Sequence, residues 1–219
     1  MSRWVLFAAL LAGVSYGLAP PVALAVGAPP PLPDWAFVVW KGAGVTLLAL
    51  WALLAAPGRD GRWLALLLAF GAMGDVLLET HGLVIGALAF LAGHGVAIAL
   101  YARHRRADLS RADLVGGLIF VIAVAGFSFA LAADRALAPG VALYSAGLGA
   151  MAAMAWLSRF PRALTAAGAL MFVVSDLLIF ARAGRPALDI LPMGLAVWGL
   201  YFAGQTLIAL GGVRRIANR

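Results

Sequence analysis

Trp63-Leu-Ala-Leu-Leu-Leu-Ala-Phe70-Gly-Ala-Met-Gly-Asp75-Val-Leu-Leu78 is apolar for about the length of a bilayer crossing, with one carboxylate near its far end. A run of about 20 such residues reads as a transmembrane helix. Backbone polar groups in lipid must be satisfied within the segment, which leaves the helix as the form for so long and apolar a run. An aspartate at that depth costs about 2.5 kcal/mol or more to insert, so its presence points to a use. The same pattern returns 101 residues later in Met171-Phe-Val-Val-Ser-Asp176-Leu-Leu178, where a small residue again precedes the Asp and an apolar stretch follows.

The rest of the chain has the same character. Its 219 residues are 64% hydrophobic and 11% charged, with mean hydropathy +1.01. That composition belongs to an all-α integral membrane protein. Eight spans are predicted, at 4–26, 35–56, 63–80, 82–102, 113–133, 138–158, 163–182 and 189–212. They fill residues 1–219 as one transmembrane domain. The Pro29-Pro30-Pro31-Leu32-Pro33 segment cannot continue a helix and reads as the first loop. A tight turn at Thr80-His81-Gly82 separates the third and fourth spans, and the polar stretch from Arg103 to Asp113 reads as another loop.

Basic residues orient this bundle. With the N-terminus inside, the cytoplasmic segments hold Arg3, Arg59, Arg62, Arg103, Arg105, Arg106, Arg111, Arg159, Arg162, Arg214, Arg215 and Arg219, against Arg135, Arg182 and Arg185 outside. The split predicts both termini in the cytoplasm and a bacterial-type inner membrane. A rival reading takes Arg3 and the apolar run after it as a signal peptide. The net charge of +7 is thus used at helix ends, and no aromatic-interleaved basic surface suggests nucleic-acid binding. With no cysteine, disulfides and thiolate chemistry are excluded.

A weak internal repeat is visible. Ala92-Gly93-His94 matches Ala203-Gly204-Gln205, the Asp75 segment matches the Asp176 segment, and Lys41-Gly-Ala-Gly matches Tyr144-Ser-Ala-Gly. Residues 1–106 and 113–215 are then two four-helix units of the same orientation, related by an axis along the membrane normal. Polar groups gather at similar depth in both: Lys41, Asp75, Glu79 and His94 in the first, Tyr144, Asp176, Tyr201 and Gln205 in the second. Convergence of this kind predicts a cavity. Tyr101, Trp4, Trp35 and Trp63 read as interface anchors, the glycines of Gly13-Val-Ser-Tyr-Gly17 as packing positions, and His81 and His104 as loop residues without a role.

Zinc-ligand spacing and phosphate-binding glycine loops are absent from the sequence, and Gly13-Val-Ser-Tyr-Gly17, which has Gly-x-Ser-x-Gly spacing, lies inside an apolar span and not at the strand-to-helix elbow a nucleophilic serine needs; no metal or organic cofactor is expected. Two carboxyls held together away from water share a proton, which supplies an acid and a base in one place. The substrates that reach such a site are lipids, so acid–base cleavage of a lipid linkage is one reading. A proton-coupled transporter of small molecules or lipids is the alternative. Oligomeric state is not legible.

Lys41, Gly74-Asp75-Val-Leu-Leu78, Phe90-Leu-Ala-Gly93-His94 and Ser175-Asp176-Leu-Leu, followed by Tyr201 and Gln205, resemble the landmarks of the lysoplasmalogenase family, also called YhhN-like or transmembrane protein 86-like. The resemblance runs from about residue 38 to residue 210. It departs at Lys41-Gly42, where the family often has Lys-Pro, and at Tyr101, which stands further from the His motif than the family's Tyr. Such membership implies an eight-helix hydrolase that cleaves the vinyl ether bond of lysoplasmalogens. The products are a fatty aldehyde and a glycerophospho-ethanolamine or -choline. Asp75 and Asp176 are then the catalytic pair. Lys41, Glu79, His94, Tyr144, Tyr201 and Gln205 are its substrate-side neighbours, and a lysophospholipid in the bilayer is the substrate.

Overall fold

Among the described residues, eight long helices account for most of the chain: α1 (Ser2–Val26), α2 (Asp34–Ala55), α3 (Arg59–His81), α4 (Leu83–Arg103), α5 (Arg111–Leu131), α6 (Ala138–Leu157), α7 (Ala167–Arg182) and α8 (Leu191–Ala217). The computed structural model describes residues 2–28 and 32–218. The Pro29–Pro31 part of the expected first loop and Arg219 fall outside them. All eight helices are long and apolar enough to cross a membrane, the seventh when counted from Arg162. The chain is a multi-pass membrane protein.

Helix bounds follow local chemistry. Gly82 turns the chain between α3 and α4 with φ +84°, a conformation open to glycine at little cost. Ser110 caps α5: its hydroxyl accepts from the Asp113 amide while the Asp113 carboxylate accepts from the Ser110 amide. That capping box starts the helix at Arg111, so the polar stretch expected as loop is shorter than Arg103–Asp113. One wide π turn, Arg162–Ala166, leads into α7.

Packing is decided by small residues. A Cβ on Gly168 of α7 would lie 2.5 Å from the Gly204 carbonyl of α8, and one on Gly86 of α4 would lie 2.8 Å from the Leu78 Cα of α3. Gly13 of α1 and Gly44 of α2 lie under the Phe202 ring of α8. Helices α1 and α5 are the most peripheral, each burying two residues. The Trp198 indole donates to the Gly13 carbonyl at 2.8 Å and fastens α1 to α8.

At one end of the bundle the linkers are tied together. Arg105 bridges to Ser158, the Arg159 amide donates to the His104 carbonyl, and the His104 ring pairs with Asp60 at 2.8 Å. His104, assigned nothing from sequence, is therefore a buried pin between the first turn of α3 and the α4–α5 linker. Tyr101 corrects another expectation. It is 0% exposed and packs edge-on against Phe160, so it is a core residue and not an interface anchor. Its place on α4 turns it toward α6, and a position near a span end does not reveal which way a side chain faces. Trp4 and Trp35 do face outward.

Candidate active site

Asp75 sits on α3 one residue after Gly74 and four after Gly71, and both glycines make room for it. A Cβ on Gly74 would meet the Phe90 ring at 2.7 Å, and one on Gly71 would meet the Gln205 amide nitrogen at 2.6 Å. Without those side chains, α8 approaches closely enough for the Tyr201 hydroxyl to donate to Asp75 Oδ2 at 2.8 Å. The Gln205 side-chain amide then donates to the Tyr201 oxygen at 3.5 Å.

Asp176 is built the same way from other helices. The Tyr144 hydroxyl of α6 donates to Asp176 Oδ2 at 2.5 Å, and His94 Nε2 of α4 lies 3.4 Å from that hydroxyl. Ser175 donates to the Val197 carbonyl of α8 at 2.9 Å, which fixes the rotation of α7 and so the aim of the next residue. Phe90 lines the same cavity as both carboxyls and lies edge-on to Tyr201 and to Phe172, with ring centres 5.8 Å apart in each pair.

Both carboxyls line one cavity of about 540 Å³, within the range of small-molecule sites. Exposure rises along it. Asp75 and Asp176 are 3% and 6% exposed, while the side chains of Lys41, Arg182, Glu79 and Asp189 are 13%, 33%, 42% and 75% exposed. The aspartates therefore form the floor and the other four groups climb to the mouth. At the mouth Lys41 donates to Glu79, and Arg182 stands 3.8 Å from Asp189. Two cations against two carboxylates leave this rim electrically balanced. The walls are apolar and aromatic, with Tyr16, Leu78, Phe90, Ile179 and Trp198 among them.

The eight residues singled out from sequence thus divide. Lys41, Asp75, Glu79, Asp176 and Tyr201 border the cavity. Tyr144, His94 and Gln205 stand behind it, touching the carboxyl-bearing pairs and not the open space. Sequence reasoning missed Tyr16, Trp198, Arg182 and Asp189. Arg182 had been counted only as an outside charge, and Tyr16 was hidden inside a stretch read for its glycines. Among the described residues, no three His, Cys, Asp or Glu side chains are grouped as metal ligands.

The model of the YhhN family matches residues 36–212. The chain belongs to the YhhN family. Its matched span begins inside α2 and ends inside α8, so Lys41, both aspartates, Tyr144, Tyr201 and Gln205 all fall within the YhhN region while α1 with Tyr16 lies before it. Two relatives of this YhhN-family chain carry the name Lysoplasmalogenase, one from Mycobacterium bovis (strain ATCC BAA-935 / AF2122/97) and one from Mycobacterium tuberculosis (strain CDC 1551 / Oshkosh). Each is 35% identical over 181 residues, covering 78% of this chain and 68% of the relative. No solved structure matches the chain.

Proposed function

We propose that this protein is a membrane-embedded lysoplasmalogenase, using Asp75 and Asp176 to cleave the vinyl ether bond of an alkenyl-glycerophospholipid. The observation that carries the reading is the pair of buried carboxyls on the floor of one cavity, in a chain related to proteins of that name. Vinyl ethers are hydrolysed by protonation of the β-carbon. One carboxyl, protonated, gives its proton to that carbon, and the electron pair on the ether oxygen forms an oxocarbenium ion. Water adds to the cation while the second carboxylate takes a proton from it. The hemiacetal then collapses: its hydroxyl proton leaves to the first carboxylate, the second returns a proton to the departing glycerol oxygen, and aldehyde is released. Both carboxyls end as they began. Tyr144 and Tyr201 stabilise the anionic forms by donating to them.

The mouth suits a zwitterionic head group. Lys41 and Arg182 would face the phosphate, and Glu79 and Asp189 an ammonium group two methylenes away. The alkenyl chain would lie along Leu78, Ile179 and Trp198. The reading extends to the membrane: termini in the cytoplasm, as the arginine count favours, with the cavity opening outward. It also extends to an origin in two four-helix units. Supporting that origin, α1 and α5 are both peripheral, and Asp75 and Asp176 both meet a tyrosine. The halves have nonetheless diverged, since α2 packs along α3 while α6 touches α7 little.

The test is aldehyde release by the purified protein from lysoplasmalogens with ethanolamine and choline heads. Release that Asp75→Asn and Asp176→Asn each abolish supports the proposal; full activity in both variants sinks it. Flux driven by a pH gradient into proteoliposomes, without aldehyde, would instead favour the transporter.

A further inference from the structure

Behind the two Asp–Tyr pairs lies a second cavity of about 20 Å³, bordered by Gly71, His94, Ala97, Tyr101 and Gln205. Phe90 borders both it and the large cavity. Three polar residues meet here, and each has bonding capacity to spare. Tyr144 has one proton, which goes to Asp176. Its contact with His94 is therefore made by an N–H of the ring donating to the phenol oxygen, which assigns the proton to Nε2 and leaves Nδ1 as an acceptor. Tyr201 likewise spends its proton on Asp75 and accepts from the Gln205 amide, whose oxygen remains an acceptor. Tyr101 is fully buried, and its hydroxyl has no hydrogen-bond partner within the described residues.

A buried hydroxyl without a partner is rare in folded proteins, and ordered water is the usual resolution. A cavity needs about 10–15 Å³ and two to four polar partners to hold a water. This one has the volume and three polar residues on its wall. His94 and Gln205, moreover, are matched positions of the sequence repeat, so the two halves of the chain bring their equivalent residues to one point.

We propose that the small cavity binds one water that joins Tyr101, His94 and Gln205, and so couples the two Asp–Tyr pairs from behind. Tyr101 is then a positioning residue for both carboxyls, although it touches neither. The water holds the His94 ring and the Gln205 amide in the orientations that keep the tyrosine protons on the carboxylates. Its catalytic meaning rests on the reading of Asp75 and Asp176 as an acid–base pair; the site itself does not.

Thermal unfolding of the full chain in detergent tests the site without any activity. If the cavity is dry, Tyr101→Phe removes an unsatisfied hydroxyl and leaves the melting temperature unchanged or higher. With water bound, the same change lowers it by about 2–4 °C. Tyr144→Phe, Tyr201→Phe and their double variant supply the second arm. Their effects on unfolding are expected to be non-additive in the native background and additive in Tyr101→Phe, where the bridge is broken. A melting temperature that does not fall, or additivity in both backgrounds, overturns the proposal. In the aldehyde assay Tyr101→Phe is expected to lower kcat about tenfold with KM unchanged, and to move both limbs of the pH–rate profile. A native protein that releases no aldehyde rejects the hydrolase reading and leaves the unfolding arms to decide the water site.

Discussion

Asp75 and Asp176 each follow a small residue and precede an apolar stretch, yet their surroundings differ. Asp75 accepts from Tyr201 and lies within the field of Lys41 and Glu79, so charged groups of both signs surround it. Asp176 has Tyr144 as its hydrogen-bond partner, with His94 behind that tyrosine. Lys41-Gly-Ala-Gly matches Tyr144-Ser-Ala-Gly in sequence, and the difference in their first residue sets the contrast. Lys41 reaches outward to Glu79, whereas Tyr144 stays buried and bonds Asp176. Two similar sequence motifs can thus be given unlike surroundings by a single facing residue, a difference that suits the proposed division into an acid and a base.

The harshest way to break the comparison is to remove one carboxyl at a time. Asp75→Asn and Asp176→Asn are each expected to cut aldehyde release by about 10²–10⁴-fold while the protein still folds, because in the proposed reaction each supplies one proton-transfer function. Turnover by either variant within tenfold of native would leave one aspartate a bystander. A finer probe takes away the tyrosines. Tyr144→Phe removes the hydroxyl partner of Asp176, at about 1.5–3 kcal/mol for a bond to a charged group. Its kcat should fall further than that of Tyr201→Phe, since Asp75 keeps the attraction of Lys41. Equal losses in steady-state kinetics would show that the charged neighbours do not matter.

The frame beneath each carboxyl can be strained in turn. Gly168→Ala presses a methyl on the Gly204 carbonyl, and Gly86→Ala presses one on the Leu78 backbone. Neither contact can rotate away, so each should cost about 1–3 kcal/mol, read as a lower melting temperature. A variant that melts with the native protein would mean the helices separate easily there. The smallest effect is expected at the mouth. Lys41→Met breaks a partly exposed pair with Glu79, worth about 0–1 kcal/mol to stability. It should raise KM for a phosphate-bearing lysolipid a few-fold and leave an alkenyl glycerol without a head group unaffected.

The candidate site was partly legible in the sequence. Asp75 and Asp176 stood out because a carboxylate inside an apolar run is costly and therefore rare. Lys41, Glu79 and Tyr201, found by depth, do border the cavity. His94 and Gln205 were found by the same signal but stand behind it, because depth along a helix says nothing of rotation about its axis. Arg182 and Asp189 escaped notice for the opposite reason. Charges at span ends are common and are used for orientation, so nothing in the sequence marks the two that fold over a cavity.

Composition and hydropathy by themselves determined the eight helices and their approximate ends, since lipid leaves a long apolar run no other way to satisfy its backbone. Tertiary structure alone decided that Asp75 bonds a tyrosine of α8 while Asp176 bonds one of α6, and that Tyr101 turns inward. Those outcomes depend on how closely and at what rotation the helices pack. That is set jointly by glycines such as Gly71, Gly86 and Gly168 and by the neighbours each one meets. A one-dimensional pattern carries the first half of that pairing and not the second.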